Sequence, residues 1–245
     1  MLKAIIHHSL NLVSFLNELR LALYKPQMRH LTRLVDALIT CETGKTLSEL
    51  YRQFVEQLDP KTAADFFRES PWEAEDLSGS RRQWMLIKML ALALQVGLAS
   101  IIKVSVDDSL GKKDKATRHQ EAVDFQHNHT ESSRKRQGYS NGFVYVEVHI
   151  HLGPLGFTFD TRLYLREKTV RRLNRQRVQA GHRRLRYRSK YALAREMLVV
   201  LRQVLPPGYP VYVLFDSWYA SANWAISAYR ASRRRKNGSP WSCWR

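Results

Sequence analysis

A chain of 245 residues, 44% of them hydrophobic, can bury one sizeable core, alone or with a smaller appendage. Forty Lys and Arg stand against 22 Asp and Glu, a net charge of +18 that favours polyanionic partners, nucleic acid first. Only two cysteines, Cys41 and Cys243, are present, which excludes a disulfide framework and fits a reducing, cytoplasmic setting.

The opening "MLKAIIHHSLNLVSF" is broken by His7, His8 and Asn11 and has no small-residue cleavage site after it, so no signal peptide is read there. Residues 1 to about 96 read as helical. In "LNLVSFLNELRLAL" (10–23) and "LTRLVDALI" (31–39), apolar residues recur at three- and four-residue spacing. Three start signals follow. "TLSE" (46–49) and "SPWE" (70–73) have the capping-box form, and "LDPKTAADFF" offers Asp59 as cap with Pro60 behind it. A helix-turn-helix is conceivable over 46–69. The acidic "DFFRESPWEAED" suits phosphate poorly, so packing helices are the favoured reading. The apolar run Met89–Ile102, between Lys88 and Lys103, is too short to span a bilayer and reads as a buried helix feeding a strand. Nor does any basic helix with an aromatic face suggest a membrane partner.

The pattern changes after Gly97. "SIIKVSVDDS" is a β-branched run read as a strand ending on Asp107 and Asp108. "GFVYVEVHIHL" alternates, with Val144, Val146, Val148 and Ile150 on one face and Tyr145, Glu147, His149 and His151 on the other. "GPLG" is a hairpin turn into "LGFTFDTRLYL", where Leu155, Phe157, Phe159, Leu163 and Leu165 are expected near one face. "KYALAREMLVVLRQVL" reads as a helix ended by "PPG". "VYVLF" (211–215), apolar on both faces, reads as a central strand covered on both sides and ending on Asp216. The three earlier strands form an antiparallel meander. The helix then crosses over to set this last strand parallel to, and beside, the first.

From Arg162 to Lys190 there are twelve Lys or Arg and a single acid, Glu167. Such a run repels itself unless an anion arrives. The residues expected to meet nucleic-acid phosphates are Arg166, Lys168, Arg171, Arg172, Arg175, Arg177, Arg183, Arg184, Arg186 and Arg188. If the first and last strands are parallel neighbours, their aspartates meet at one edge. Carboxylates gathered there suit Mg2+ or Mn2+, with water and phosphate oxygens completing the shell. The competing role for Asp216 is an N-cap for "DSWYASANWAI". His149 and His151 share a strand face but have no third ligand at metal spacing, and "GKKDKAT" lacks the second glycine of a phosphate loop.

The elements "SVDDSLGKKD", "EAVDFQHNHT", "RLYLREKTVRRLNRQR" and "VYVLFDSWYAS", with "SPWEAEDL" upstream, resemble insertion-sequence transposases of the DDE class over roughly residues 60 to 226. "VDDS" and "LFDSWYAS" carry most of the likeness. The resemblance implies an RNase H-like core, two divalent ions, and strand cleavage followed by transfer of 3′ ends into target DNA. It implies Asp108 as the first catalytic acid, with Asp107 a close competitor, and Asp216 as the second. The family's third acid is a glutamate on a later helix, and none of the 29 residues after Asp216 is acidic.

The expected fold is therefore mixed α/β: a helical region over 1–96, an incomplete RNase H-like sheet with flanking helices over 97–230 carrying the basic insert 162–190, and an irregular basic tail over 231–245. The last strand is then an open hydrophobic edge. The expected function is DNA transposition, in a truncated and inactive copy. The alternatives are a non-catalytic DNA binder derived from a transposase and a metal-dependent nuclease of the same fold. Expected partners are the element's ends and target DNA. Self-association is left open, and in a prokaryote the chain would lie on the nucleoid.

Overall fold

The computed structural model describes residues 4–42, 45–98, 101–117, 120–128, 131–132, 137–216, 219 and 241–243. The chain divides into two compact units, Met1–Trp84 and Met85–Arg245.

The first unit is helical: α1 (Leu10–Glu18), α2 (Lys25–Thr40), α3 (Leu47–Tyr51), α4 (Pro60–Arg68) and the start of α5 (Ala74–Gln95). Two of the three expected starts are borne out by their caps. The Thr46 hydroxyl accepts the Glu49 N–H at 3.2 Å and the Asp59 carboxylate accepts the Lys61 N–H at 2.9 Å. The third is not. "SPWE" starts no helix at Ser70, because the Ser70 hydroxyl accepts a hydrogen bond from Gln27 Nε2 (2.9 Å) and Trp72 stacks on Phe66 with ring centroids 5.5 Å apart. The helix begins only at Ala74. The first predicted helix is also shorter than its pattern: it stops at Glu18, and Arg20 takes a positive φ of 49°. A helix-turn-helix over 46–69 does not form, since α3 has five residues and eight residues separate it from α4, against the three or four of that motif. Leu50 and Tyr51 of α3 pack with Ala37, Phe54 and Ala63.

The second unit is a six-stranded mixed sheet: β1 (Ile102–Lys112), β2 (Asp124–His127), β3 (Tyr139–Leu152), β4 (Leu155–Tyr164), β5 (Val211–Phe215) and β6 (Trp241–Cys243). The order is β2-β3-β1-β5-β6. β4 shares with β2 the far edge of the long β3, β2 taking residues 139–142 and β4 residues 144–152. β1, β3 and β4 are antiparallel neighbours, and β5 and β6 run parallel to β1. This is the meander-then-crossover topology expected from the sequence. Helices α6 (Glu167–Gln179) and α7 (Lys190–Val204) lie between β4 and β5 in sequence. One face of the sheet, with Val104, Val106, Val146, Val148, Ile150 and Val213, packs against Leu193, Met197 and Leu201 of α7 and against Leu86 and Met89 of α5.

Four expectations are corrected. β1 does not end at its aspartates; it runs on to Lys112, because β3 pairs with it through Lys112↔Gly142 after β5 has stopped at Val106↔Phe215. Leu163 does not share the face of Phe159. A bulge between Val148 and His149 shifts the β3–β4 register, so Phe159 and Asp160 are both buried and Leu163 is exposed. β5 is not an open edge, since Val211–Val213 pair with Trp241–Cys243. Nor is it covered evenly on both faces: Val211 and Val213 are buried while Leu214 is 42% exposed. The helix expected to begin at Asp216 lies outside the described residues.

Candidate active site and nucleic-acid interface

Consecutive strand residues point to opposite faces, so Asp107 and Asp108 part company. Asp108 follows the buried Val104 and Val106 onto the covered face and stands opposite Val146. There its carboxylate is neutralised. Lys190, first residue of α7, places Nζ 2.6 Å from Oδ2, and the Tyr219 hydroxyl donates to Oδ1 at 3.2 Å. Tyr219 is buried. That burial, and then the negative charge of Asp108, pushes its phenol far above the ordinary range, so it stays a donor. The Tyr219 N–H in turn donates to the Asp216 carbonyl at 2.8 Å.

Asp107 goes to the other face. It is exposed, and its Oδ1 accepts the Asp108 N–H at 2.7 Å. Its register partner across β1–β3 is Glu147. Glu147 accepts hydrogen bonds from Ser109 (3.1 Å) and Thr161 (3.5 Å), and His149 Nε2 lies 3.9 Å from it. On the other side of β1 the last parallel pair is Val106↔Phe215, and the next residue in each chain is Asp107 and Asp216. The register thus sets Asp107, rather than Asp108, level with Asp216. Both are exposed carboxylates at the point where β5 leaves β1. Hard oxygen donors at neighbouring strand positions are the kind that suit a magnesium-type ion, which keeps several waters and needs few protein ligands. Among the described residues no group of three His, Cys, Asp or Glu side chains gathers closely enough to hold an ion.

The basic segment is more ordered than a charge run suggests, and more of its charge is compensated. The helix α6, which the charge run conceals in the sequence, buries Thr169, Val170 and Leu173 and turns Arg171, Arg172 and Arg175 outward. Its start is fastened to β2. The Thr169 hydroxyl donates to Asp124 Oδ2 at 2.9 Å, Lys168 Nζ lies 3.3 Å and Arg166 3.8 Å from Oδ1, and Arg166 also donates to the Phe125 carbonyl. Burial works against the Asp124 charge, but these donors with the Phe125 N–H outweigh it and hold the carboxyl below its usual range. Arg188 and Arg162 share Glu196, at 3.4 and 2.9 Å, and Arg162 also meets the buried Asp160 at 3.2 Å. Arg171 pairs with Glu167 one turn away at 2.6 Å, an exposed contact of little worth. Arg177 Nε donates to the Arg183 carbonyl at 2.8 Å. Among the described residues, Arg175, Arg183, Arg184 and Arg186 are exposed and form no ion pair.

The structure therefore separates the ten expected phosphate contacts. Arg166, Lys168 and Arg188 are engaged by acids from β2 and α7, Arg177 is half-buried and spends its Nε on the Arg183 carbonyl, and Arg171, Arg172, Arg175, Arg183, Arg184 and Arg186 present their charge to solvent. Sequence reading missed Lys190, Tyr219, Asn174 and Asp124. The only local signal was Ser189, whose hydroxyl caps α7 through the Ala192 N–H (3.2 Å) and so marks Lys190 as the first helical residue.

The family model described as DDE superfamily endonuclease matches residues 15–230. No curated protein matches the chain.

Proposed function

The chain belongs to the DDE superfamily endonuclease family, and from that premise we propose that it is a transposase-type protein. Its basic segment holds DNA, and Asp107 and Asp216 are the residues that would hold a divalent cation. The observation that carries this reading is the β1–β5 register, which makes Asp107 and Asp216 the next residues after the last parallel pair. A divalent pair bound there would activate the attacking oxygen and stabilise the leaving one. The chain's own residues do the positioning. Asp108, neutralised by Lys190 and Tyr219, is linked through Tyr219 to the Asp216 carbonyl and so helps to position Asp216. Glu147, opposite Asp107 on β3, lies across β1 from Asp216 and does not complete a three-ligand group with the two aspartates among the described residues. The DNA partners on this reading are the element's ends and its target.

A second reading, a DNA binder that does not cut, is favoured by one specific observation: no third acid joins Asp107 and Asp216 among the described residues. Phosphoryl transfer with two metals needs both ions fixed about the scissile phosphate. We therefore expect this 245-residue polypeptide to bind DNA carrying the element's ends without nicking it. The test is a strand-cleavage assay with Mn2+ on such DNA, run beside a gel-shift measurement. Specific nicking that Asp216→Ala abolishes would establish the active reading over the binding one. Absence of both nicking and binding would overturn the two together.

A further inference from the structure

Residues 183–188 carry four arginines in a segment without helix or strand, yet its backbone is held at the start and in the middle, and its side chains are tied at the far end. In the middle, Asn174 of α6 clamps Leu185 from both sides: Nδ2 donates to the Leu185 carbonyl at 2.9 Å and Oδ1 accepts its N–H at 2.7 Å. At the start, Arg177 Nε holds the Arg183 carbonyl. The chain arrives there through a helix end at Gly181, whose φ is +71°, with the His182 N–H donating back to the Arg177 carbonyl at 2.8 Å. At the far end, Arg188 is tied to Glu196. Tyr187 hydrogen-bonds Tyr164, whose phenol burial and this bond together push up to about 12. Leu185 is half-buried, and its neighbours Arg184 and Arg186 are exposed without a carboxylate partner among the described residues.

We propose that 183–188 is a preorganised strap that tracks one phosphate backbone of DNA, and that Asn174 is the residue that positions it. This rests on the reading that the chain binds DNA. Side chains two residues apart on an extended segment recur at roughly 6.6 Å, on the scale of successive phosphates along one strand. Arg184 and Arg186 are two residues apart in a segment outside helix and strand. Arg171 and Arg175, one turn apart on α6, form a second row at about 6 Å of helical rise. Fixing like charges in a row raises their mutual repulsion, which a polyanion relieves. A clamp that orders the strap beforehand also removes that ordering cost from the binding step. A side-chain amide that spends both its donor and its acceptor on one backbone residue is suited to this and to no chemistry.

The experiment measures binding of a duplex of about 20 base pairs and arbitrary sequence as a function of salt. Removing one phosphate-binding side chain lowers the slope of log affinity against log salt by about 0.9. Arg184→Ala with Arg186→Ala is expected to lower it by about 1.8. Asn174→Ala is expected to lower it by a similar amount although every arginine remains. Trypsin should cut the free Asn174→Ala protein within 183–188 faster than the free wild type, and duplex should protect the wild type there. These arginines are exposed, so their double variant keeps the test open if Asn174→Ala does not fold. An unchanged slope in the folded Asn174→Ala protein, or in the double arginine variant while Arg171→Ala with Arg175→Ala lowers it, overturns the strap and leaves DNA binding standing. A wild type without salt-dependent affinity overturns DNA binding itself, and the strap with it.

Discussion

Among single residues, two adjacent aspartates have different environments and should behave differently. Asp108 is paired on the covered face with Lys190 and Tyr219, and Asp107 is exposed beside Glu147. Asp107→Asn is expected to abolish Mn2+ binding measured by calorimetry. Asp108→Asn should retain it and cost about 1 kcal/mol of stability, because the pair is partly exposed. Loss of Mn2+ binding in Asp108→Asn with none in Asp107→Asn would reverse the assignment. A second residue gives a pH effect. His30 stacks on Phe66 at 5.4 Å, and its Nδ1 lies 3.1 Å from the Tyr51 hydroxyl. Burial, then Arg29 and Arg33, hold its pKa below the ordinary 6.5. The unfolded chain therefore takes up the proton first, and stability rises with pH. The contribution is full above 6.5 and is lost as pH falls from there through the depressed folded value. Thermal melting from slightly alkaline to mildly acidic pH should show this loss, and His30→Gln should flatten it. A curve unchanged by the substitution would exclude His30 as the source.

Among helices and strands, local rules and tertiary demands divide the outcome. Caps at Thr46 and Asp59 form as read, because a side chain three residues or fewer from its N–H needs no help from the fold. Ser70 has the same local credentials, but a distant Gln27 takes its hydroxyl. The end of α6 is another local device. Gly181 has φ +71° with no atom within 4 Å of where a Cβ would sit, so the backbone conformation alone decides the cost of a side chain. Gly181→Ala is expected to cost about 1 kcal/mol, a fall of about 3 °C in melting temperature for a chain of this size. An unchanged melting temperature would show that the left-handed turn is not maintained in solution. In β4 the bulge at Val148/His149 is what turns Asp160 inward to meet Arg162, so one extra residue converts an exposed charge into a buried ion pair.

Over the entire chain, a net charge of +18 is not spread as a uniform coat. Lys168, Lys190, Arg162 and Arg188 are ion-paired to Asp124, Asp108, Asp160 and Glu196, while α6 and the strap after it carry Arg175, Arg183, Arg184 and Arg186 exposed and without an ion pair among the described residues. Replacing Arg171, Arg172 and Arg175 by alanine is expected to weaken DNA binding about equally for all sequences. It should also reduce the salt slope by about 2.7, three phosphates at about 0.9 each. Affinity reduced for one sequence only, at an unchanged slope, would mean that these arginines read bases rather than hold phosphates. Among the described residues no helix is long and apolar enough to cross a membrane.

The class of fold, the strand faces of β3 and the existence of a concentrated basic segment were all legible in the order of residues. Each depends on short-range periodicity or composition: Val144, Val146, Val148 and Ile150 alternate into the core because a pleated strand has period two. Three other features needed the folded chain. Which of Asp107 and Asp108 stands level with Asp216 depends on where β5 stops pairing with β1, a register between strands far apart in sequence. Which arginines remain unpaired depends on acids brought in by β2 and α7. The order of the strap depends on Asn174 reaching eleven residues along the chain to Leu185. Periodicity assigns a side chain to a face, but the partner waiting on that face comes from elsewhere in the chain, and only folding brings the two together.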